Sequence, residues 1–555
     1  MRWVAFVVRW VVWGIASLRW RLRRPPAYVQ ILLEVPLPEL PPPRGPFWQR
    51  FVGAPTQLSM RDLTAQLRRL AADRRVQGVV VHLRPAPYSA ARVEQLIALV
   101  RELRSAGKRV VCWAPDYSAA TYQIACAADE VLLQPGGHVD GLGLAQQYLY
   151  LKDALGTVGV EADIVQIAPH KTAGDTLSRA TMSPEAREMA DWLADGHLGE
   201  RVAAIAGGRS LTDEAARAVI DASPYTDHEA HQAGVIDGVC NEEELTVRLG
   251  GRPATWQHAR RRLRVLAPRR PGRHVALLRI DGMIVDGRSR RPPVAPPLPV
   301  PLLFGAQTGD LTVAEQARRL ARDRRVAAVV VWVDSPGGSA SASEAMASAL
   351  AELAEKKPLV AAMGSVAASG GYYVTTPCRR VFAQPSTLTG SIGVLTGKLV
   401  AGQLLYRLRF HEEVISRGAH AEMGLPSRGY TDDERRKVWA SIERSYELFL
   451  GRVSDGRGRT VAEIEPIAGG RVWTGRQAHE RGLVDELGGL DRAAAEARRL
   501  AGLRPEAALR EPSRRGELPT ARPDGLAAVA HAISGLRALD RATAWVLSPL
   551  LSRPD

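Results

Sequence analysis

RRLAADRRVQGVVVHLRPAP, residues 68–87, and RRLARDRRVAAVVVWVDSPG, residues 318–337, align without a gap at a shift of 250 (318 − 68). The same shift sets YQIACAADEVLLQPGGHVDGLG (122–143) against YYVTTPCRRVFAQPSTLTGSIG (372–393). Near the ends YTDHEAHQAGVID (225–237) faces WTGRQAHERGLVD (473–485), the shift having drifted to 248 (473 − 225). A drift so small over so long a stretch implies two copies of one fold. Each copy reads as a helix ending in an arginine cluster, a buried strand such as Val329–Val333, a turn, a helix, a second strand such as Pro358–Met363 and another helix. Strands alternating with helices predict an α/β class with parallel-type sheets and crossover helices.

Length agrees, since 555 residues exceed what a single core serves. The expected organisation is a membrane-associating segment over 1–26, a first domain over 27–249, a linker over 250–273, a second domain over 274–503, and an Arg/Pro-rich segment with a tail helix over 504–555. Leu526, Val529, Ile533, Leu536 and Leu539 recur at helical spacing in that tail. Two proline-rich apolar stretches, Val35–Gly45 and Arg288–Gly305, fall at matching places in the copies and read as exposed loops rimming a cavity or facing a membrane, or as plain solvent loops.

The formal charge of +15 is carried almost entirely by arginine, because the chain has seven lysines, at 108, 152, 171, 356, 357, 398 and 437. The arginines are scattered rather than striped, and no nucleic-acid-binding motif accompanies them, so no nucleic-acid partner is expected. Cys112, Cys126, Cys240 and Cys378 lack metal-ligand spacing and read as buried thiols. The apolar run Trp3–Leu18 is broken by Arg9 and followed by Arg19, Arg21, Arg23, Arg24 and Pro25-Pro26. Its tryptophans and arginines suit a helix in or through a membrane interface, single-pass or peripheral. The arginines after the run would leave the body on the cytoplasmic side, while a helix packed on the body is the alternative.

A duplicated domain keeps what folding needs in both copies, so a polar residue present in one only is a functional candidate. Ser369, in Gly364-Ser-Val-Ala-Ala-Ser-Gly-Gly-Tyr372, stands where the first copy has Ala119. It falls between small residues at a strand-to-helix turn, where a substrate can approach closely. Asp334-Ser-Pro-Gly337-Gly338-Ser339 stands against Arg84-Pro-Ala-Pro-Tyr-Ser89, and paired glycines let backbone N–H groups turn outward as an oxyanion hole requires. Lys171 lies opposite Ala421, so the copy with the serine lacks the lysine and the reverse. A lysine made neutral by burial can take a serine proton, and one site would then draw on both copies.

These residues resemble the long, tandem-domain type of signal peptide peptidase (serine peptidase family S49), which shares the ClpP/crotonase-like fold. The resemblance rests on Asp334-Ser-Pro-Gly-Gly338, Ala368-Ser-Gly-Gly-Tyr372, Thr389-Gly-Ser-Ile-Gly393, and Lys171 with Met182-Ser-Pro-Glu-Ala-Arg187, and it covers about residues 27–500. It implies Ser369 as nucleophile, Lys171 as general base, Ser391 orienting the lysine, and Gly337 or Gly338 with Gly370 binding the oxyanion. It further implies a membrane-anchored homo-oligomer, a tetramer among the arrangements, that cuts signal peptide remnants and unfolded hydrophobic chains without metal or cofactor. The segment around Lys171 reads Ala168-Pro-His-Lys171, where the family more often has an aromatic before the lysine. A crotonase-type acyl-thioester enzyme and a catalytically silent membrane scaffold are the competing expectations.

Overall fold

The computed structural model describes residues 10–11, 13–14, 24–41, 58–263, 272–290, 306–512 and 545–547. Most of the N-terminal run, residues 42–45 and 291–305 of the proline-rich loops, and the tail helix expected over 526–539 lie outside the described residues. The described residues form two compact α/β units, one within Met1–Ala145 and His197–Gly272, the other within Gln146–Gly196 and Arg273–Arg553.

The first unit carries six parallel strands in the order Gly238–Val239, Glu130–Leu133, Arg109–Ala114, Gly78–Leu83, Tyr28–Leu33 and Ala254–Thr255. Crossover helices Met60–Ala71 and Ala90–Ser105 link the central strands. Gly78–Leu83 is buried throughout, which accounts for its unbroken Val79-Val80-Val81 run rather than an alternating pattern.

The second unit repeats the order as Glu486–Leu487, Arg380–Ala383, Leu359–Ala368, Val326–Ser335, His274–Asp281 and Leu509–Arg510, again parallel. The matching sites carry matching polar bonds. Tyr122 Oη donates to Val235 O at 2.8 Å, and Tyr372 Oη to Leu483 O at 2.9 Å. Asp237 accepts from Val131 N and Arg209, as Asp485 accepts from Val381 N and Arg457. Lys108 donates to the carbonyls of Asp73 and Val76, just past the end of Met60–Ala71, and Lys357 to those of Leu320 and Asp323, at the end of Asp310–Arg322. All four cysteines are buried and free.

Two departures from the repeat prepare the site. Leu359–Ala368 is longer than its counterpart Arg109–Ala114, and its partners on Val326–Ser335 slip from Val333↔Met363 to Ser335↔Ala367. Asp334 Oδ1 accepts the Val366 N–H inside that slip at 3.1 Å, where the first copy has Arg84. A Cβ at Gly364 would come 2.6 Å from Asp334 Cγ, so the turn of chain beside this carboxylate needs glycine. The extension delivers Ser369 at the strand's end.

The second departure concerns packing. By sequence alignment Gln146–Gly196 belongs to the first copy, yet it packs within the second unit. Its strand Glu161–Ile167 forms an antiparallel ladder with Val394–Val400, from Val394↔Ile167 to Val400↔Glu161. The packing boundaries therefore differ from the boundaries of the repeat.

The Arg457–Asp485 pair holds an arginine side chain that is 4% exposed, whereas Arg209 in the corresponding first-unit pair is 16% exposed. Removing the carboxylate leaves the deeper charge unpaired, at a cost of about 3 kcal/mol or more. Asp485→Ala should therefore lower the melting temperature more than Asp237→Ala, as read by scanning calorimetry. Equal shifts would contradict this.

Candidate active site

Ser369 closes the strand Leu359–Ala368 and precedes the short helix Gly370–Tyr373. Its backbone is left-handed in φ (59°), an unfavourable state for a residue with a side chain. Two backbone bonds hold it there: Ser369 N donates to Gly390 O and Tyr373 N donates to Ser369 O, both at 2.8 Å. The neighbouring strand is pinned as well, with Thr389 Oγ1 donating to Ala367 O at 2.7 Å and Thr387 Oγ1 to Gly364 O at 2.8 Å. A strained serine on a sharp strand-to-helix turn presents its hydroxyl away from the sheet.

Lys171 arrives from the other copy's sequence. The ladder of Glu161–Ile167 ends beside Val394, and the chain then turns through Ala168, whose φ is +82°. His170 N donates to Gly469 O at 3.1 Å, and Gly470 N donates to Ile392 O at 2.8 Å. Gly470 is itself left-handed (φ +80°), and a Cβ there would lie 2.3 Å from Lys171 N, so only glycine lets the two segments approach this closely. A Cβ on Gly393 would stand 3.3 Å from Lys171 Cδ. The lysine stem thus runs between two glycine backbones.

At the end of that stem Lys171 Nζ lies 2.5 Å from Ser369 Oγ, 2.9 Å from Ser391 Oγ and 2.9 Å from Ser391 O. Lys171, Ser369 and Ser391 are all fully buried. Burial holds the Lys171 pKa well below the ordinary lysine value, with desolvation as the cause. Ser391, also at positive φ (53°), is fixed by its N–H donating to Arg471 O at 2.6 Å.

The paired glycines lie against the same turn. A Cβ on Gly370 would be 3.3 Å from Gly337 Cα and 3.4 Å from Gly338 N, and one on Gly338 would strike Ile284 O at 2.0 Å. Gly337 N donates to Ser335 Oγ at 3.1 Å. Among the described residues no group of three or more His, Cys, Asp or Glu side chains is placed to hold a metal ion.

Several neighbours make contacts that the sequence does not announce, although Asp334 and Ser183 fall within quoted motifs. Asp334 fixes the strand slip beneath Ser369. Ser183 Oγ donates to Asp175 Oδ2 at 2.6 Å, and burial raises the Asp175 pKa while that bond works against the rise. Trp192 stacks on Trp473 at 4.9 Å, Arg481 lies 3.9 Å above Trp473, and the His170 ring lies 5.7 Å from Trp192. The Ala421 comparison finds Lys171, but nothing local in the sequence distinguishes these aromatic contacts from core packing.

The profile of Peptidase family S49 matches residues 102–250 and 351–504, once in each copy. The chain belongs to peptidase family S49. It is 31% identical over 464 residues to "Serine protease SPPA, chloroplastic" of Arabidopsis thaliana, covering 80% of this chain and 66% of that one. It is also 32% identical over 470 residues to "Protease 4" of Salmonella typhi, covering 80% and 72%, and 27% identical over 490 residues to "Protease 4" of Haemophilus influenzae, covering 82% and 75%. These relatives place the tandem arrangement among the long S49 peptidases, and the chain is a serine-type peptidase by family.

Gly470→Ala should push the His170–Lys171 backbone away from the serine while leaving both sheets intact. A displacement of about 1 Å can cost roughly 100-fold in turnover. The expected result is a drop of that order in kcat for an unstructured peptide, with an unchanged circular dichroism spectrum. Full activity would show that the close approach at Gly470 does not position the lysine.

Proposed function

We propose that this S49 peptidase cleaves peptide bonds with Ser369 as nucleophile and Lys171 as general base. The observation that carries the reading is the 2.5 Å approach of Lys171 Nζ to Ser369 Oγ, both side chains being fully buried. A neutral amine has two N–H groups and one lone pair. Ser391 O and Oγ offer two acceptors, which leaves the lone pair for the Ser369 hydroxyl proton. After transfer the ammonium has three N–H groups for the same three oxygens. The proton can therefore move with no change of partners, while desolvation keeps the amine neutral beforehand.

On this reading Ser369 Oγ attacks the substrate carbonyl and its proton passes to Lys171 Nζ. The oxyanion is received by the amides of Gly338 and Gly370; the Gly337 N–H is engaged by Ser335 Oγ and is the less available of the two glycines. Collapse gives an acyl-enzyme as Lys171 protonates the leaving amine. Water then attacks, with Lys171 again taking the proton. A crotonase-type reaction gives no reason for a buried lysine against a serine.

The substrates proposed are extended, unfolded hydrophobic peptides, signal peptide remnants among them, since small residues around Ser369 let a chain pass close to the backbone. Association with the cell membrane, single-pass or peripheral, and assembly into a homo-oligomer are part of the proposal. Among the described residues no helix is long and apolar enough to cross a membrane. The candidate membrane segment within residues 1–26 falls largely outside the described ones.

Ser369→Ala should abolish hydrolysis of an unstructured peptide with the fold unchanged, because both backbone bonds that hold this turn are made by main-chain atoms of residue 369. Lys171→Arg should be nearly as damaging, since a guanidinium stays protonated. The double variant should be little worse than either single one, as groups acting as a unit are strongly non-additive. High activity in Lys171→Arg would reduce the lysine to an electrostatic helper.

A further inference from the structure

At the end of the parallel sheet opposite Ser369, the second unit holds a cavity of about 440 Å³ lined by Arg273, Arg322, Arg324, Lys356 and Lys357. The rest of its lining is alanine, valine, proline and leucine, with no carboxylate among it. It lies where the strands His274–Asp281, Val326–Ser335 and Leu359–Ala368 begin. Ser369 follows the last residue of Leu359–Ala368, and the 10 residues of that strand span roughly 33 Å. The cavity is therefore a separate place from the candidate active site.

The helices Asp310–Arg322, Ala340–Lys356 and Leu490–Leu500 all end here, and cations at helix ends neutralise dipoles. Each helix C-terminus carries the equivalent of about −0.5 charge, so three ends fall well short of these cations. The nearby carboxylates are engaged: Glu352 accepts from Lys356 Nζ at 2.8 Å, and Asp323 from the Arg325 N–H at 2.9 Å. Lys357 has a structural task in its bonds to the carbonyls of Leu320 and Asp323. Among the described residues, no hydrogen bond or ion pair ties the side chains of Arg273, Arg322 and Arg324. The repeat supplies a control, since Ala72 and Ala106 stand in the first copy where Arg322 and Lys356 stand in the second. The helices Met60–Ala71 and Ala90–Ser105 end there without those charges, so folding does not require them. Burial lowers the Lys357 pKa, the Asp323 charge opposing the shift and Arg273 adding to it, a repulsion that a bound anion would relieve.

We propose that this cavity binds an anion with a terminal phosphate, either free in solution or displayed as a lipid headgroup. A guanidinium fork sets two N–H groups against two phosphate oxygens, while lysines add point charges. Several cations around one cavity match a ligand of multiple negative charge, and a single carboxylate would leave most of them unbalanced. The volume falls within the range of about 300–1,000 Å³ usual for ligand pockets, so more than a bare ion fits. The proposal stands apart from the Ser369–Lys171 reading, because no residue of the cavity belongs to that site.

Two probes test it on the full-length chain: inorganic pyrophosphate, followed by isothermal titration calorimetry, and phosphatidylcholine vesicles with and without phosphatidic acid, followed by co-sedimentation. The test variant is Arg322→Ala with Lys356→Ala. Because the whole chain is basic, Arg436→Ala with Lys437→Ala serves as control, removing the same charge from exposed positions of the helix Asp432–Arg457. The expected result is saturable binding that weakens roughly tenfold or more in the first double variant and hardly changes in the second. Weakening confined to phosphatidic acid assigns the phosphate to a lipid, weakening confined to pyrophosphate assigns it to a free anion, and weakening of both supports the shared chemistry. Absence of saturable binding to both probes overturns the proposal, as does unchanged affinity in the first double variant. Equal weakening in the two double variants also overturns it, since overall charge would then account for the binding. Circular dichroism checks the fold, and Arg322→Gln with Lys356→Gln is judged by the same criteria should the alanine pair lose its spectrum.

Discussion

Seven backbone pairs between Glu161–Ile167 and Val394–Val400 set the geometry of the candidate site. The ladder ends at Ile167, four residues before Lys171, and begins on its partner strand at Val394, three residues after Ser391. A register slip of one residue would turn every side chain of the strand to the opposite face, and the Ala168–Lys171 turn would then no longer meet Gly470 and Gly393. The 2.5 Å contact at Ser369 is thus set by main-chain hydrogen bonds well away from it. This also gives a physical reason for the packing of Gln146–Gly196 within the second unit: its strand completes an edge that the second copy leaves open.

Placing a lysine in such a site works against the stability of its charge. An ammonium taken out of water costs several kcal/mol unless paired with a counter-charge, and the acceptors at Lys171 Nζ are hydroxyl and carbonyl oxygens. Desolvation shifts the balance toward the neutral amine, which is the form a general base needs. Ser369, Ser391 and Ala168 all lie at positive φ, and main-chain hydrogen bonds fix the first two. Strain and desolvation are concentrated within a few residues, beside the parallel sheet of the same unit.

Much of this was legible in the sequence because duplication supplies an internal control. Ser369 against Ala119 and Lys171 against Ala421 single out two side chains that the structure brings together, and the hydrophobic runs at 79–81 and 329–333 identify buried parallel strands. Other features were not legible, for specific reasons. The reassignment of Gln146–Gly196 is a matter of which strand edge is open, and alignment to the first copy gives no hint of it. Asp334 reads as part of a turn motif, while its bond to Val366 N depends on a slip between strands that no periodicity reveals. Trp545–Leu547 is too short to be read as a strand from the sequence, yet it pairs with Gly337–Ser339.

The central claim is that Ser369 is activated by a lysine that burial keeps neutral. The most direct test is the rate at which a fluorophosphonate labels the wild-type chain across pH, with the modified residue located by mass spectrometry. Below its lowered pKa Lys171 holds a proton and cannot accept one; above it the lone pair is free. The account predicts a single label on Ser369 whose rate rises with pH and levels off at a midpoint well below that of an ordinary lysine. A rate independent of pH over that range, or labelling at another residue, would contradict it.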